Sequence, residues 1–220
     1  MVPLARRRVL RAPCPNESGA RTNLDVVRQT FTAWAGAYDA THIWLPLRAA
    51  ACSALDVQPG ERVLDLATGT GLNLVRLRKM VTERGRVTGV DLTPAMLEIA
   101  RARIARHGWK NVEAREADAA RLPFPDGSFD KAICTFALNI IPDYRGAIEE
   151  IHRVLVSGGR FVALDIAALL PGLPRWLRRV CSICAIDMDH RVLAELQRVF
   201  PNTIVRRYWP GIVFVAVATK

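Results

Sequence analysis

The sequence lacks the features that commit a chain to a membrane, a metal or an oxidising compartment. It contains no run of about 18 uninterrupted apolar residues, the length that begins to span a bilayer. Its five cysteines, Cys14, Cys52, Cys134, Cys181 and Cys184, are odd in number and scattered, which is not a disulfide framework. Only Cys181 and Cys184 form a C-x-x-C. No second ligand pair accompanies them, so no metal site is expected and the segment reads as a partly buried helix. A reducing, cytoplasmic location fits this usage. Met1–Arg11 carries Arg6, Arg7, Arg8 and Arg11 but has neither the apolar stretch nor the cleavage site of a secretory signal. Residues 1–22 are expected to be a flexible basic segment, read as a disordered arm, a surface anchor or the product of an upstream start site, with Pro13, Pro15, Asn16 and Gly19 reading as linker. Internal repeats and low-complexity tracts are also absent.

What remains is a single ordinary globular domain with an unusual charge. The 220 residues are half apolar and 24% charged, which supports one buried core. The formal net charge is +10, which favours anionic partners without choosing among nucleic acid, anionic lipid and an acidic small molecule.

Residues 23–57 hold two helical stretches broken near Trp44–Pro46 and rich in aromatics (Phe31, Trp34, Tyr38, Trp44). They are expected to cap the domain, either as simple packing or as a lid. From Arg62 strands and helices alternate. Val63–Leu66 and Arg86–Asp91 read as short buried strands, with a helix over Leu72–Thr82 between them. Thr93-Pro94 opens the next helix, Thr as N-cap and Pro at the first helical position, and Gly108 closes it. Further strands are expected at Val112–Ala117, Ser128–Phe136 and Arg160–Ile166, with a helix over Asp143–Val156. Such alternation implies right-handed crossovers and a mostly parallel sheet. After a helical Pro171–Phe200, strands Thr203–Tyr208 and Ile212–Thr219 are joined by so short a link, Trp209-Pro210-Gly211, that they must form an antiparallel hairpin. The fold class is therefore α/β: a doubly wound, mostly parallel seven-stranded sheet with an antiparallel last strand and a helical cap.

Three features carry the chemistry. Val63-Leu64-Asp65-Leu66-Ala67-Thr68-Gly69-Thr70-Gly71 is a strand running into a glycine-rich turn and a helix start, where a backbone without Cβ admits a ligand. Asp91 ends the second strand, where a carboxylate accepts hydrogen bonds from both hydroxyls of a ribose. Alone, these suit NAD as well as any other adenosine cofactor. Glu116-Ala117-Asp118-Ala119, followed by Leu122-Pro123-Phe124-Pro125-Asp126-Gly127-Ser128-Phe129-Asp130 and later by Val154-Leu155-Val156-Ser157-Gly158-Gly159-Arg160, separates them. Across residues 58–165 this order and spacing resembles the class I S-adenosylmethionine-dependent methyltransferases.

The resemblance implies S-adenosylmethionine as cofactor. It implies that Asp118 receives the adenine amino group, that the Ala119 N–H meets a ring nitrogen, and that Leu92 and Met96 flank the adenine. Ala67 stands where the family's D-x-G-x-G-x-G has its first glycine, as in many relatives acting on quinones. With Gly69 and Gly71 it forms the turn, Thr68 and Thr70 offer hydroxyls to the methionine part, and Asp65 either orients the loop or binds its amino group. On the substrate side the resemblance implies Tyr38, beside Asp39, as a residue closing over the methyl donor, and Asn139, after strand four, as one facing the acceptor. His42 and His190 are candidate bases; His152 reads as structural.

Two subfamilies fit the acceptor. The Asp-Leu-Ala-x-Gly-Thr-Gly turn resembles ubiquinone and menaquinone C-methyltransferases, although Asn139-Ile140 replaces their Arg-Asn. Tyr38-Asp39, Pro59–Leu64 and Ile140-Ile141-Pro142-Asp143 resemble bacterial phosphatidylethanolamine N-methyltransferases. Both imply a small lipophilic or lipid acceptor. The stretch Leu169–Ile186, with Trp176 and Leu177 beside Arg175, Arg178 and Arg179, reads as either a pocket lid or a helix touching an anionic membrane surface. Nucleic acid is not expected as a partner: the Asn/Asp-Pro-Pro-Tyr signature of amino-group methylases is absent, and so is an appended RNA-binding module.

Overall fold

The computed structural model describes residues 17–39, 45–166, 191–208 and 213–220. Seven strands form one sheet: β1 (Arg62–Leu66), β2 (Arg86–Asp91), β3 (Val112–Glu116), β4 (Phe129–Thr135), β5 (Leu155–Ile166), β6 (Ile204–Tyr208) and β7 (Val213–Thr219). Their spatial order is β3-β2-β1-β4-β5-β7-β6. β1 through β5 are parallel, whereas β7 runs antiparallel to both β5 and β6. The expected sheet and its antiparallel last strand are present. β7 lies inside the hairpin's outer strand, so β6, not β7, forms the sheet edge.

The helices are α1 (Glu17–Tyr38), α2 (Leu45–Leu55), α3 (Leu74–Val81), α4 (Pro94–His107), α5 (Tyr144–Val154) and α6 (Val192–Val199). Four consecutive residues of β1, Val63 through Leu66, are all buried, as a strand covered on both faces requires. On one face, Cys52 and Leu55 of α2, Leu74 and Leu77 of α3, and Leu97 and Ala100 of α4 pack on Val63, Val87 and Ile133. On the other, Ile148 and Ile151 of α5 and Leu196 of α6 pack on Leu64, Cys134 and Phe161. The two layers place the ends of β1, β2, β3 and β4 at one crevice beneath α1.

Boundaries moved where local chemistry differs from the expectation. Thr93 occupies the N-cap position of α4, yet its hydroxyl makes no capping bond; its own N–H donates to Asp91 instead. Gly108 ends α4 in the left-handed region (φ 65°), as expected. β5 begins at Leu155 because its pairing with β4 jumps from Phe129↔Leu155 to Lys131↔Arg160, absorbing the Gly158-Gly159 turn as an irregularity. α1 begins at Glu17, so residues 17–22, expected to be flexible, belong to the cap helix. Residues 1–16, His42, Trp44, the Cys181/Cys184 pair, the Leu169–Ile186 stretch, His190 and the Trp209–Gly211 link lie outside the described residues. Among the described residues no helix is long and apolar enough to cross a membrane, and no cluster of His, Cys, Asp or Glu could hold a metal ion.

Candidate functional site

β1 delivers the chain into a turn built from left-handed residues: Ala67 (φ 52°), Gly69 (φ 58°) and Gly71 (φ 80°). Only glycine adopts this region without steric cost, so Ala67 holds its place under strain. At Gly71 a side chain is also excluded by contact, since a Cβ there would lie 2.8 Å from Leu74 Cδ1 and 3.3 Å from Ala100 Cβ. The turn is locked from beneath. Asp65 is fully buried and accepts hydrogen bonds from the Thr68 hydroxyl (2.5 Å) and Asn73 Nδ2 (2.9 Å). Burial pushes its carboxyl up to about 6, and those two donors pull against the rise. Of its two expected roles, the geometry therefore favours orienting the loop.

Asp91 locks the turn from the side. Its Oδ2 accepts the Gly69 N–H (2.8 Å) and its Oδ1 accepts the Thr93 N–H (2.9 Å). Burial raises its carboxyl and the backbone donors oppose that rise. Asp91 also lines the cavity described next.

These elements border one cavity, and most of its lining is apolar. Its floor is Ala67, Gly69 and Asp91. On the β2–β3 side stand Leu92 and Met96, with Asp118 and Ala119 after β3. On the β4 side stand Thr135, Phe136 and Ala137, followed by Ile140, Ile141 and Pro142. Leu24, Val27, Phe31 and Tyr38 of α1 form the roof. A Cβ on Gly69 would lie 3.8 Å from Tyr38 Cε1, so the tyrosine ring covers the glycine turn.

The roof is tied down at both ends. Arg28 Nε donates to the Leu92 carbonyl (3.2 Å), and its Nη2 pairs with Glu116. Asp39 accepts the Thr70 hydroxyl (2.6 Å) and Arg103 Nη2 (2.5 Å). The cap helix thus lies over the glycine turn, tied to α4 and to the ends of β2 and β3.

Ala67, Gly69, Asp91, Leu92, Met96, Asp118, Ala119 and Tyr38 meet at the cavity as expected. Asp65, Thr68 and Gly71 do not reach it. Thr68 is buried below the turn against Gly89, and Gly71 serves close packing. Thr70 bonds to Asp39 rather than facing a ligand. Asn139 also needs correction. Its N–H donates to Asp165 Oδ2 (3.2 Å) and its Nδ2 to the Ile166 carbonyl (2.7 Å), so it braces β5. The cause is the tight turn after β4: Phe136 is left-handed (φ 57°), and the N–H groups of Ile140 and Ile141 both return to the Ala137 carbonyl. That turn aims Ile140 and Ile141 inward and Asn139 away. His152 packs on Phe200 (5.1 Å between centroids), as a structural histidine does.

Arg48 was not anticipated. It is buried (7% exposed) beside the cavity, donating to Tyr38 OH (3.2 Å), Asn73 Oδ1 (3.3 Å) and the Thr135 hydroxyl. Its guanidinium carbon sits 5.3 Å from the Phe136 ring centre. The sequence signal was a lone arginine inside the apolar run Leu45–Leu55.

Residues 63–159 match a family described as a methyltransferase domain. The chain is 34% identical over 203 residues to the demethylmenaquinone methyltransferase of Lactococcus lactis subsp. lactis, covering 89% of this chain and 77% of that one. The chain belongs to the class I S-adenosylmethionine-dependent methyltransferases. With the demethylmenaquinone methyltransferase of Staphylococcus epidermidis it is 38% identical over 122 residues, 56% of this chain, and it spans about half (49%) of that relative's length. In fold, it superposes on the methyltransferase seen with the Haloferax volcanii Trm112 methyltransferase activator at a TM-score of 0.69, with 24% identity over 86% of this chain and 96% of that one. It also superposes on Haemonchus contortus phosphoethanolamine N-methyltransferase 2 in complex with S-adenosyl-L-methionine, at a TM-score of 0.68 with 21% identity over 75% and 39% of the two chains. S-adenosylmethionine is the cofactor of this methyltransferase. The cavity suits it: the Asp91 carboxylate lines its floor, and the neighbouring Gly69 leaves open the space that a side chain would fill.

Proposed function

We propose that this protein transfers a methyl group from S-adenosylmethionine to a small lipophilic acceptor, with the ring carbon of a quinone precursor as the leading candidate. The observation that carries this is the continuity of one cavity from the acid Asp91 to an apolar wall of Phe31, Phe136, Ile140 and Ile141. The polar part suits the adenosine, and the apolar part suits a ring or an isoprenoid-like body. The demethylmenaquinone methyltransferase relatives support the quinone reading over the phospholipid head group.

When bound, the cofactor supplies a methyl on a cationic sulfur, which leaves as a neutral thioether. In our reading Asp91 accepts hydrogen bonds from the ribose hydroxyls and Asp118 from the adenine amino group, the Ala119 N–H donates to a ring nitrogen, and Leu92 and Met96 hold the adenine faces. Tyr38 closes over the methyl donor, its phenol held by Arg48. The roof excludes water and aligns the acceptor for in-line displacement, which is most of what such a reaction needs from a protein. Asn139 acts at one remove, by fixing the turn that presents Ile140 and Ile141. A carbon acceptor must also lose a proton. Among the described residues no histidine lines the cavity, so His42 and His190 stand as the candidate bases.

A visit to a membrane surface is part of this reading. Val26 (53% exposed) and Trp34 (51% exposed) on α1 present apolar surface on the roof helix, and the charge of +10 suits an anionic interface. The test is transfer of radiolabelled methyl into a total lipid extract, resolved by chromatography. Label in the quinone fraction is expected. Label confined to head groups would move the acceptor to a phospholipid amine. No label in any lipid, with cofactor binding intact, would overturn the lipophilic reading.

A further inference from the structure

A second cavity of about 390 Å³ opens between α2 and α3, outside the site described above. Its wall carries Arg48, Arg76 and Lys79, with Arg103 contributed by α4, and no aspartate or glutamate lines it. Arg103 is already neutralised by Asp39. Among the described residues, neither Arg76 nor Lys79 has an ion-pair partner.

Arg48 is the decisive group. A buried guanidinium ordinarily has a carboxylate beside it, because its charge is costly to remove from water. Here its hydrogen bonds go only to the neutral oxygens of Tyr38, Asn73 and Thr135; the one buried acid near it, Asp65, lies behind Asn73, makes no hydrogen bond to it and is outside the groove. Its Nε is buried with no partner at all. A buried cation with an unused donor, two unpaired cations beside it and no acid in the wall form a site short of an anion.

We propose that this groove binds a phosphate group, seated on Arg48, Arg76 and Lys79. A carboxylate would bring one negative charge to three cations, whereas a phosphate monoester brings about −1.5 to −2 and three acceptor oxygens. Beside Asn73, the wall also carries the apolar side chains of Leu45, Leu72 and Val75, and the volume exceeds what a lone phosphate fills. The groove therefore accommodates either free phosphate or the phosphate end of a small organic ester. The site is independent of which atom accepts the methyl.

The experiment is calorimetric titration of the full chain with inorganic phosphate and with glycerol 3-phosphate, at constant ionic strength. The expected result is saturable binding at one site, weakened about tenfold or more in Arg76→Gln/Lys79→Gln. The charge-matched control Arg106→Gln/Lys110→Gln removes two exposed cations outside the groove and should leave binding within about twofold. Tighter binding of glycerol 3-phosphate would assign the groove to an organic ester, and equal binding would assign it to free phosphate. Absence of saturable binding to either probe would overturn the proposal. So would equal losses in the two double variants, since they would reduce the effect to general attraction by a cationic surface.

Discussion

Asp165 offers a sharp test of how burial acts in this core. It is fully buried at the end of β5, accepting the N–H groups of Ile166 (2.8 Å) and Asn139 (3.2 Å), and burial raises its carboxyl from 3.8 to about 6. A carboxyl raised on folding binds its proton more tightly in the native state. Its contribution is therefore neutral well below pH 4, and a destabilisation builds between about pH 4 and 6 and is complete above 6. At about 1.36 kcal/mol per tenfold change in proton affinity, the gap from 3.8 to about 6 amounts to about 3 kcal/mol. Asp165→Asn removes the titration but turns an amide donor against one backbone N–H, which costs about 1–3 kcal/mol at every pH. The absolute stability of the variant thus mixes two effects, whereas its pH dependence isolates one. Urea unfolding from about pH 4 to about pH 7.5 should show the wild type losing about 2.5 kcal/mol more than the variant across that interval, the remainder being already lost at pH 4, with m-values alike. Asp65 titrates in the same direction in both proteins and cancels. Asp130 and Glu150, lowered by Arg62 and Arg153, act in the opposite direction at more acid pH and cancel as well. Parallel curves for the two proteins would refute the argument.

Three further outcomes are expected. Asp91→Asn should weaken S-adenosylhomocysteine binding about 100-fold by calorimetry, since two charge-assisted hydrogen bonds to the ribose together lose about 3 kcal/mol; an affinity within about threefold of wild type would sink the ribose assignment. Gly71→Ala should destabilise the fold by about 1–3 kcal/mol in thermal melts, because its Cβ would lie 2.8 Å from Leu74 Cδ1 and its φ is +80°. Ala67→Gly should stabilise it by about 0.5 kcal/mol by relieving a left-handed alanine, and a lowered melting temperature would contradict that strain.

The sheet, its crossovers and the C-terminal hairpin were legible because strand and helix periods alternate cleanly from Arg62 onward and Gly108 punctuates where a left-handed residue is needed. The cofactor side was legible wherever a motif residue lines the cavity, as Asp91, Leu92, Met96 and Asp118 do. It failed where motif membership and facing part company. Thr68 and Gly71 sit in the right motif but serve the underside of the turn, and nothing in their spacing says which side they take. Asn139 failed for a backbone reason: the left-handed Phe136 reverses the turn after β4, and no local rule assigns that conformation to a phenylalanine. Arg48 escaped because a helix of mostly alanine and leucine reads as packing, and its partners Thr135 and Tyr38 come from distant parts of the chain.

The floor and the roof of the cavity are held with different strengths, and this bears on how the cofactor enters. Beneath the turn, Asp65, Thr68, Asn73, Thr135 and Arg48 form a buried hydrogen-bonded network, in a dielectric where such bonds are strong and hard to exchange with water. From the side, Asp91 fixes Gly69 and Thr93 before any ligand arrives. The floor is thus pre-organised, so binding need not order it. The roof is tied chiefly by side chains open to water. Arg28 and Glu116 are 42% and 47% exposed, a class of pair worth about 0–1 kcal/mol. The Asp39 contacts to Thr70 and Arg103 are only partly buried. A ligand enters such a site by displacing the weaker part. The cap helix is therefore the part expected to yield on ligand entry, over a turn that keeps its shape, with Tyr38 ending that helix above Gly69.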